Sequence, residues 1–292
     1  MSLLHTEMQS DHHAIDAVTA ERGVALILDG QAAAVDATRR ATADLAAGAA
    51  LMADALRAGG SLIYAAAGSS GLMALSDGCE LPGTFGVSAR QIQIHMAGGV
   101  PADGVMPGDV EDDAEATKNI VIRSSDAVIV LSASGATPYA LAVVARARAA
   151  GAKVIAIANN PGTPLLEMAD VAIYLNTPAE VIAGSTRMAA GTAQKAALNV
   201  MSTLMGVQLG HVYHGLMVNL VADNAKLRQR ANGIVRQISN VTSDEAATAL
   251  VTAKGAVKLA ILLAKGLPED HAQALLDRHA GHLGPCLIDT PK

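Results

Sequence analysis

Short apolar runs recur through the first two thirds of the chain: SLIYAAAG at 61–68, QIQIHMAG at 91–98, DAVIVLSASG at 126–135, AKVIAIANN at 152–160 and DVAIYLNT at 170–177. Each ends in turn residues, and most are followed by a helix-like stretch. A strand that is apolar throughout, rather than at alternate positions, is buried on both faces, and strand–helix alternation sets such strands parallel with helices on each side. The pattern predicts a doubly wound α/β domain over 51–215, built on a five-stranded parallel sheet with flanking helices. Ahead of it, Asp36 to Arg57 is rich in alanine and leucine with polar residues on one side, which predicts an amphipathic helix closed by Gly59-Gly60. Residues 1–50 thus hold an arm and a helix; the first 20 have too little apolar periodicity for an element and read as an arm that docks on a partner. Residues 216–292 read as a small helical C-terminal unit, punctuated by Gly266 to Asp270 and by Gly281, with Thr242 or Ser243 capping one helix.

At 292 residues the chain is long enough to bury a large core. Its most apolar long stretch, 189–222, is interrupted by Lys195, Asn199, Gln208 and His211, so it reads as a buried helix and not as a membrane span. A net charge of −6, four tyrosines, one phenylalanine and no tryptophan offer neither a basic stripe nor stacking platforms, which argues against a nucleic-acid partner. Cys79 and Cys286 are far apart and make neither a metal spacing nor a disulfide framework, so the expected compartment is a reducing cytoplasm. The start MSLLHTEMQSDHH turns acidic and polar before an apolar region can form and is no signal peptide.

Ligands of open α/β sheets sit at strand ends, and two of these ends carry the same chemistry: Gly68-Ser69-Ser70-Gly71 and Ser132-Ala133-Ser134-Gly135-Ala136-Thr137. Glycine lets backbone approach an anion, the N–H groups that open the next helix point at it, and hydroxyls donate without a full charge. Either loop alone fits an ordinary helix cap; two in one sheet point to a monophosphate on a small polar substrate. Neither holds the lysine of a nucleotide-binding P-loop, and no Gly-x-Gly-x-x-Gly follows the first strand. A third segment follows the fifth strand: Glu180 at the strand end, then Ser185, Thr186 and Arg187 opening a long helix, with an Arg187–Glu180 ion pair as the plain structural alternative. Glu80, between Cys79 and Leu81, is either an acid or base near the bound sugar phosphate or a surface glutamate. Glu111 lies in the run Asp109 to Asp113, which by itself reads as a solvated helix start.

These segments resemble the sugar isomerase (SIS) domain family, through Ser132, Ser134, Gly135 and Thr137, then Glu180, Ser185 and Thr186. A closer resemblance is to the N-acetylmuramic acid 6-phosphate etherases, carried by GSSG and SDGCELPGTFG within 68–86, AGG at 97–99, VEDDAE at 110–115, SASGATPY at 132–139, NNPGTPL at 159–165, PAEVIAGSTRMAAGTAQKAALN at 178–199 and GLMVNLVADNAKL at 215–227. The early Thr6-Glu7 and Ile15-Asp16 fit that family's N-terminal arm. The resemblance implies a SIS-type sheet, and a lyase that releases D-lactate from a 6-phosphosugar ether by elimination and hydration without metal or cofactor. It puts the proton donor on Glu80, which the apolar neighbours Leu75, Leu81 and Pro82 are expected to desolvate and keep protonated, and the second catalytic carboxylate on Glu111. Ser69, Ser70, Ser132, Ser134, Thr137, Glu180, Ser185, Thr186 and Arg187 become the substrate and phosphate contacts. The chain departs from the family where a basic residue is usual, at Leu72, Ala136 and Ala189, each lost charge-assisted contact being worth about 1.5–3 kcal/mol. His211 and His214 either replace some polar contacts or serve as caps and core residues.

Two other classes fit the same loops: an aldose–ketose isomerase with Glu180 as base, and a regulator that senses a phosphosugar without turning it over, as the glucokinase regulator does. The alanine-rich helix from Arg187 to about Gly206, with small residues on several faces, suits close packing against its copy, and a SIS-type site implies a homodimer.

Overall fold

The computed structural model describes residues 4–8 and 15–290. The remainder of the expected arm, 1–3 and 9–14, lies outside them, as do 291–292. The chain forms two compact units, Met1–Gly78 with Arg90–Ser202 and Cys79–Ala89 with Thr203–Lys292.

In the first unit, α1 (Ala20–Arg40) and α2 (Thr42–Arg57) precede the sheet. One helix was expected to run from Asp36 to Arg57; the structure instead turns at Ala41. There Thr42 Oγ1 donates to the Arg39 carbonyl at 2.6 Å and the Ala41 N–H bonds Thr38 O, a tighter span than the α-helical one. A hydroxyl that captures a nearby carbonyl competes with the helix ladder in this way. Strands β1 (Leu62–Ala66), β2 (Ile92–Met96), β3 (Ala127–Ser132), β4 (Lys153–Ala158) and β5 (Val171–Tyr174) then pair in the order β2-β1-β3-β4-β5, every neighbour parallel. Helix α3 (Gly68–Gly78) follows β1, and α5 (Pro138–Ala149) and the short α6 (Pro164–Glu167) follow β3 and β4.

The continuous apolar pattern of the strands has its cause in burial on both faces. Ile63, Ala65, Val128, Val130, Val154 and Ala156 pack with Tyr139, Val143, Val144 and Ala147 of α5. The alternate residues Leu62, Tyr64, Ile129, Leu131, Ile155 and Ile157 are equally enclosed. On their side Gly48 of α2 admits Met201 of α7 (Ala189–Gln208) beside Ile155 and Ile173. Each fully buried aliphatic side chain contributes about 1.5–3 kcal/mol.

The second unit holds α4 (Leu81–Phe85), the two-residue hairpin strands β6 (Val212–Tyr213) and β7 (Leu216–Met217), and helices α8 (Ala225–Ser239), α9 (Ser243–Thr252), α10 (Val257–Ala264), α11 (Glu269–Arg278) and α12 (Leu283–Asp289). Their core gathers Val218, Ile234, Val235, Ala260, Ile261, Leu262, Ala272 and Cys286. Thr242 is the cap of α9 and forms a capping box with Glu245, each bonding the other's backbone N–H. Lys258 ties the unit's loops together by donating to the carbonyls of Gly281 (2.9 Å) and Gly210 (3.3 Å). Among the described residues no helix is long and apolar enough to cross a membrane.

Candidate functional site

Strand order decides where a ligand sits. The crossover from β1 leads to β2 on one side of the sheet and that from β3 to β4 on the other, so the order reverses between β1 and β3. Helices leaving neighbouring strands in opposite directions open a crevice at the strands' carboxyl ends. The two serine turns stand at these two strand ends.

The first turn, Gly68-Ser69-Ser70-Gly71, is the opening of α3. Gly68 has φ +54°, and the Glu111 carboxylate rests so close to its Cα that a methyl group there would collide with Oε1. Glu111 comes from a short 3-10 turn, Asp109–Asp112. The acidic run therefore divides: Asp109, Asp112 and Asp113 stay exposed while Glu111 is half-buried against the serine turn. Burial first, and the charge of Asp112 second, push its carboxyl above the usual range.

In the second turn the three hydroxyls meet. Ser132 Oγ is 2.8 Å from Thr137 Oγ1 and 3.2 Å from Ser134 Oγ, and the N–H groups of Gly135 and Ala136 donate to Ser132 Oγ and Ser134 Oγ at 3.1 and 3.3 Å. Thr137 is the N-cap of α5 and Pro138 its first residue. Hydroxyls already supported by backbone donors can rotate their protons to an anion, beside a helix end whose dipole favours negative charge.

Glu180 is placed differently from what the ligand-binding reading implies. It is 1% exposed, and its two carboxylate oxygens accept the N–H groups of Ala189 and Ala190, both at 2.9 Å. It caps α7, whose first turn carries N–H groups that no helical carbonyl reaches. Burial raises its pKa, and these two backbone bonds oppose the rise. Ser185, Thr186 and Arg187, expected to open the helix, form the turn before it; Ser185 and Thr186 are half-buried and Arg187 is exposed. Glu80 lies in the second unit as the residue before α4. It is exposed, in contrast to the enclosure expected for it, because Leu81 is turned inward, 2% exposed.

Two features had no role assigned to them from the sequence. Asn159 and Asn160 follow β4, both buried; Asn160 Nδ2 donates to the Ala133 carbonyl of the second serine turn at 2.8 Å, and Asn159 Oδ1 accepts from Gln194 at 2.9 Å. Two adjacent amides at a strand end were the available signal. Asp77, buried in α3, accepts hydrogen bonds from the hydroxyls of Tyr64 and Ser202 and faces Lys195. Burial, then the charge and hydrogen bond of Asp77, hold the Tyr64 phenol well above its ordinary pKa. Neither histidine singled out in the sequence lies in the first unit. His211 is held down to about 4 by burial, then by Lys258 and His282; exposed His214 stacks on Tyr213 with ring centroids 4.3 Å apart. No group of three or more His, Cys, Asp or Glu among the described residues is placed to hold a metal ion.

The parallel sheet with hydroxyl-lined turns at its switch point is that of a SIS-domain protein, and the SIS domain model matches residues 104–204. In fold the chain is similar to a solved protein of Escherichia coli CFT073, with a TM-score of 0.51 at 14% identity over 68% of this chain and 97% of that one. The sequence relationship is narrower. An N-acetylmuramic acid 6-phosphate etherase of Deinococcus radiodurans is 38% identical over 281 residues, 94% of this chain and 92% of its own. Another, of Symbiobacterium thermophilum, is 44% identical over 215 residues, 73% and 72% of the two chains. The chain belongs to the N-acetylmuramic acid 6-phosphate etherase family.

Proposed function

We propose that this protein is a carbon–oxygen lyase that cleaves the D-lactyl ether of N-acetylmuramic acid 6-phosphate, consuming one water and giving N-acetylglucosamine 6-phosphate and D-lactate. The observation that carries the reading is Glu111 held against a serine turn at the sheet's switch point, in a chain of this family. The sugar opens to its aldehyde, which acidifies the proton on C2. Glu111 takes that proton; the electron pair forms the C2–C3 double bond as the C3–O bond breaks, and Glu80 protonates the departing lactate oxygen. Water then adds its oxygen to C3 of the unsaturated aldehyde while a proton returns to C2. A carboxylate with a raised pKa is the stronger base, which suits Glu111 to the first step.

Ser69, Ser70, Ser132, Ser134 and Thr137 hold the phosphate with the N–H groups of α3 and α5, and Ser185, Thr186 and Arg187 complete the contacts to the substrate. Hydroxyls and backbone donors take the place of the charges missing at Leu72, Ala136 and Ala189. Glu180 serves as the cap of α7 and orients this segment from beneath. Both of its oxygens being engaged by backbone N–H groups weighs against the isomerase reading, which needs it as a base. The protein works in the cytoplasm as a homodimer, pairing along α7, where Asn199, Val200 and Thr203 face outward. Sedimentation at micromolar concentration is expected to show twice the chain mass; a monomer alone contradicts the pairing.

Incubation with N-acetylmuramic acid 6-phosphate and a coupled D-lactate assay tests the reaction. D-lactate should appear in step with N-acetylglucosamine 6-phosphate. A ketose phosphate, or tight binding without turnover, refutes the etherase reading.

A further inference from the structure

The described part of the N-terminal arm does not stand away from the chain. His5–Glu7 forms a single 3-10 turn lying across the carboxyl ends of β4 and β5. Thr6, 1% exposed, is its anchor. The Asn160 amide grips it twice, Nδ2 donating to Thr6 Oγ1 at 3.0 Å and Oδ1 accepting the Thr6 N–H at 3.4 Å. The same Nδ2 donates to the Ala133 carbonyl, between Ser132 and Ser134. From the other side Gly184 donates its N–H to the Thr6 carbonyl at 3.2 Å, and His5 Nε2 lies 3.0 Å from the Thr177 carbonyl. One residue thereby links the hydroxyl ring of the second serine turn to the segment that carries Ser185 and Thr186.

Beside this anchor the Glu7 carboxylate lies over Gly184. Gly184 has φ +73°, and a Cβ there would come within 2.8 Å of Glu7 Oε2. The side chain is exposed, so its oxygens are open on the side away from the glycine. An ionised carboxylate only accepts hydrogen bonds and repels other anions. Its match on a phosphosugar is therefore a hydroxyl or an amide N–H, never the phosphate.

We infer that the His5–Glu7 turn is a wall of the phosphosugar site, with Thr6 positioning the two strand-end loops and Glu7 accepting a hydrogen bond from the sugar. The inference rests on the proposed reading of those loops as the substrate site. It makes the arm part of substrate selection: a ligand presenting a second anion towards Gly184 is disfavoured, and one presenting a donor is held.

The test compares the full-length wild type with Thr6→Val, Thr6→Ser and Glu7→Gln in KM, kcat and melting temperature with N-acetylmuramic acid 6-phosphate. Calorimetric affinity for N-acetylglucosamine 6-phosphate is measured alongside. Thr6→Val and Glu7→Gln should each raise KM, and weaken the calorimetric affinity, by about 5- to 10-fold, the worth of one neutral hydrogen bond or of the charge lost from a carboxylate whose amide replacement still accepts, with kcat within about 2-fold. Thr6→Ser restores the hydroxyl and should bind as wild type does. Unchanged KM and affinity in both variants overturn the inference, whether or not the melting temperature falls, because a purely structural arm moves stability alone. Should Thr6→Val fail to fold, the exposed Glu7→Gln decides alone. A wild type that binds the amino sugar phosphate but releases no lactate refutes the etherase reading and leaves the arm to be judged by affinity. Binding of neither compound refutes both.

Discussion

Glu80→Gln is expected to lower D-lactate release by roughly 100- to 10,000-fold, the usual worth of a general acid or base, and still to exchange the C2 proton with deuterated solvent. The amide keeps the shape of the side chain and removes the proton that the leaving oxygen needs. Deprotonation at C2 precedes departure, so exchange survives. Glu111→Gln is expected to abolish exchange and release together. The two variants therefore separate by deuterium wash-in at C2, without any need for turnover. The pH profile adds a sign. Because burial and Asp112 raise the Glu111 pKa, its basic form gains population at a higher pH than that of an ordinary glutamate. The acid limb of kcat/KM should accordingly sit above that of an exposed glutamate, with activity falling as pH drops through it. Exchange lost in the Glu80 variant and kept in the Glu111 variant reverses the assignment; full activity in both refutes the mechanism.

The largest stability effect is expected at Asp77. This carboxylate is 2% exposed and sits where β1, α3 and α7 meet. Its oxygens accept from Tyr64 Oη and Ser202 Oγ, each at 3.0 Å, and Lys195 Nζ lies 3.8 Å away. Asp77→Ala removes an acceptor from both hydroxyls and a counter-charge from beside a largely covered ammonium, and breaking a buried pair from one side costs about 3–5 kcal/mol. A folded chain of this kind has roughly 5–15 kcal/mol to lose, so the variant should melt far below wild type. Asp77→Asn keeps an acceptor and should lose less. Urea and thermal unfolding measure both; a shift under about 1 kcal/mol for the alanine variant shows that the network adds little.

Much of the architecture was legible because it is written in local patterns. Runs such as DAVIVLSASG are apolar without alternation, which only a strand covered on both faces demands, and the five runs became the five strands. The serine turns were legible for a related reason: glycine and hydroxyls at a strand end serve backbone geometry and helix N–H groups within a few residues. Thr242 and Glu245 likewise find each other three positions apart.

The sequence by itself thus determined the five strands of the parallel sheet, the helix cap at 242–243, the hydroxyl turns and, by resemblance, the family. Tertiary structure decided which of the acids in Asp109 to Asp113 leaves water, because only Glu111 meets Gly68. It decided that Glu180 spends both oxygens on Ala189 and Ala190, and that 79–89 groups with the helices after 203. It also joined Thr6 to Asn160 across 154 positions. The physical reason is one of range. Hydrogen-bond periods and burial patterns act between near neighbours and show in the order of residues. Which distant polar groups satisfy one another follows from strand order and loop path, and the same side chains would have served as well in solvent.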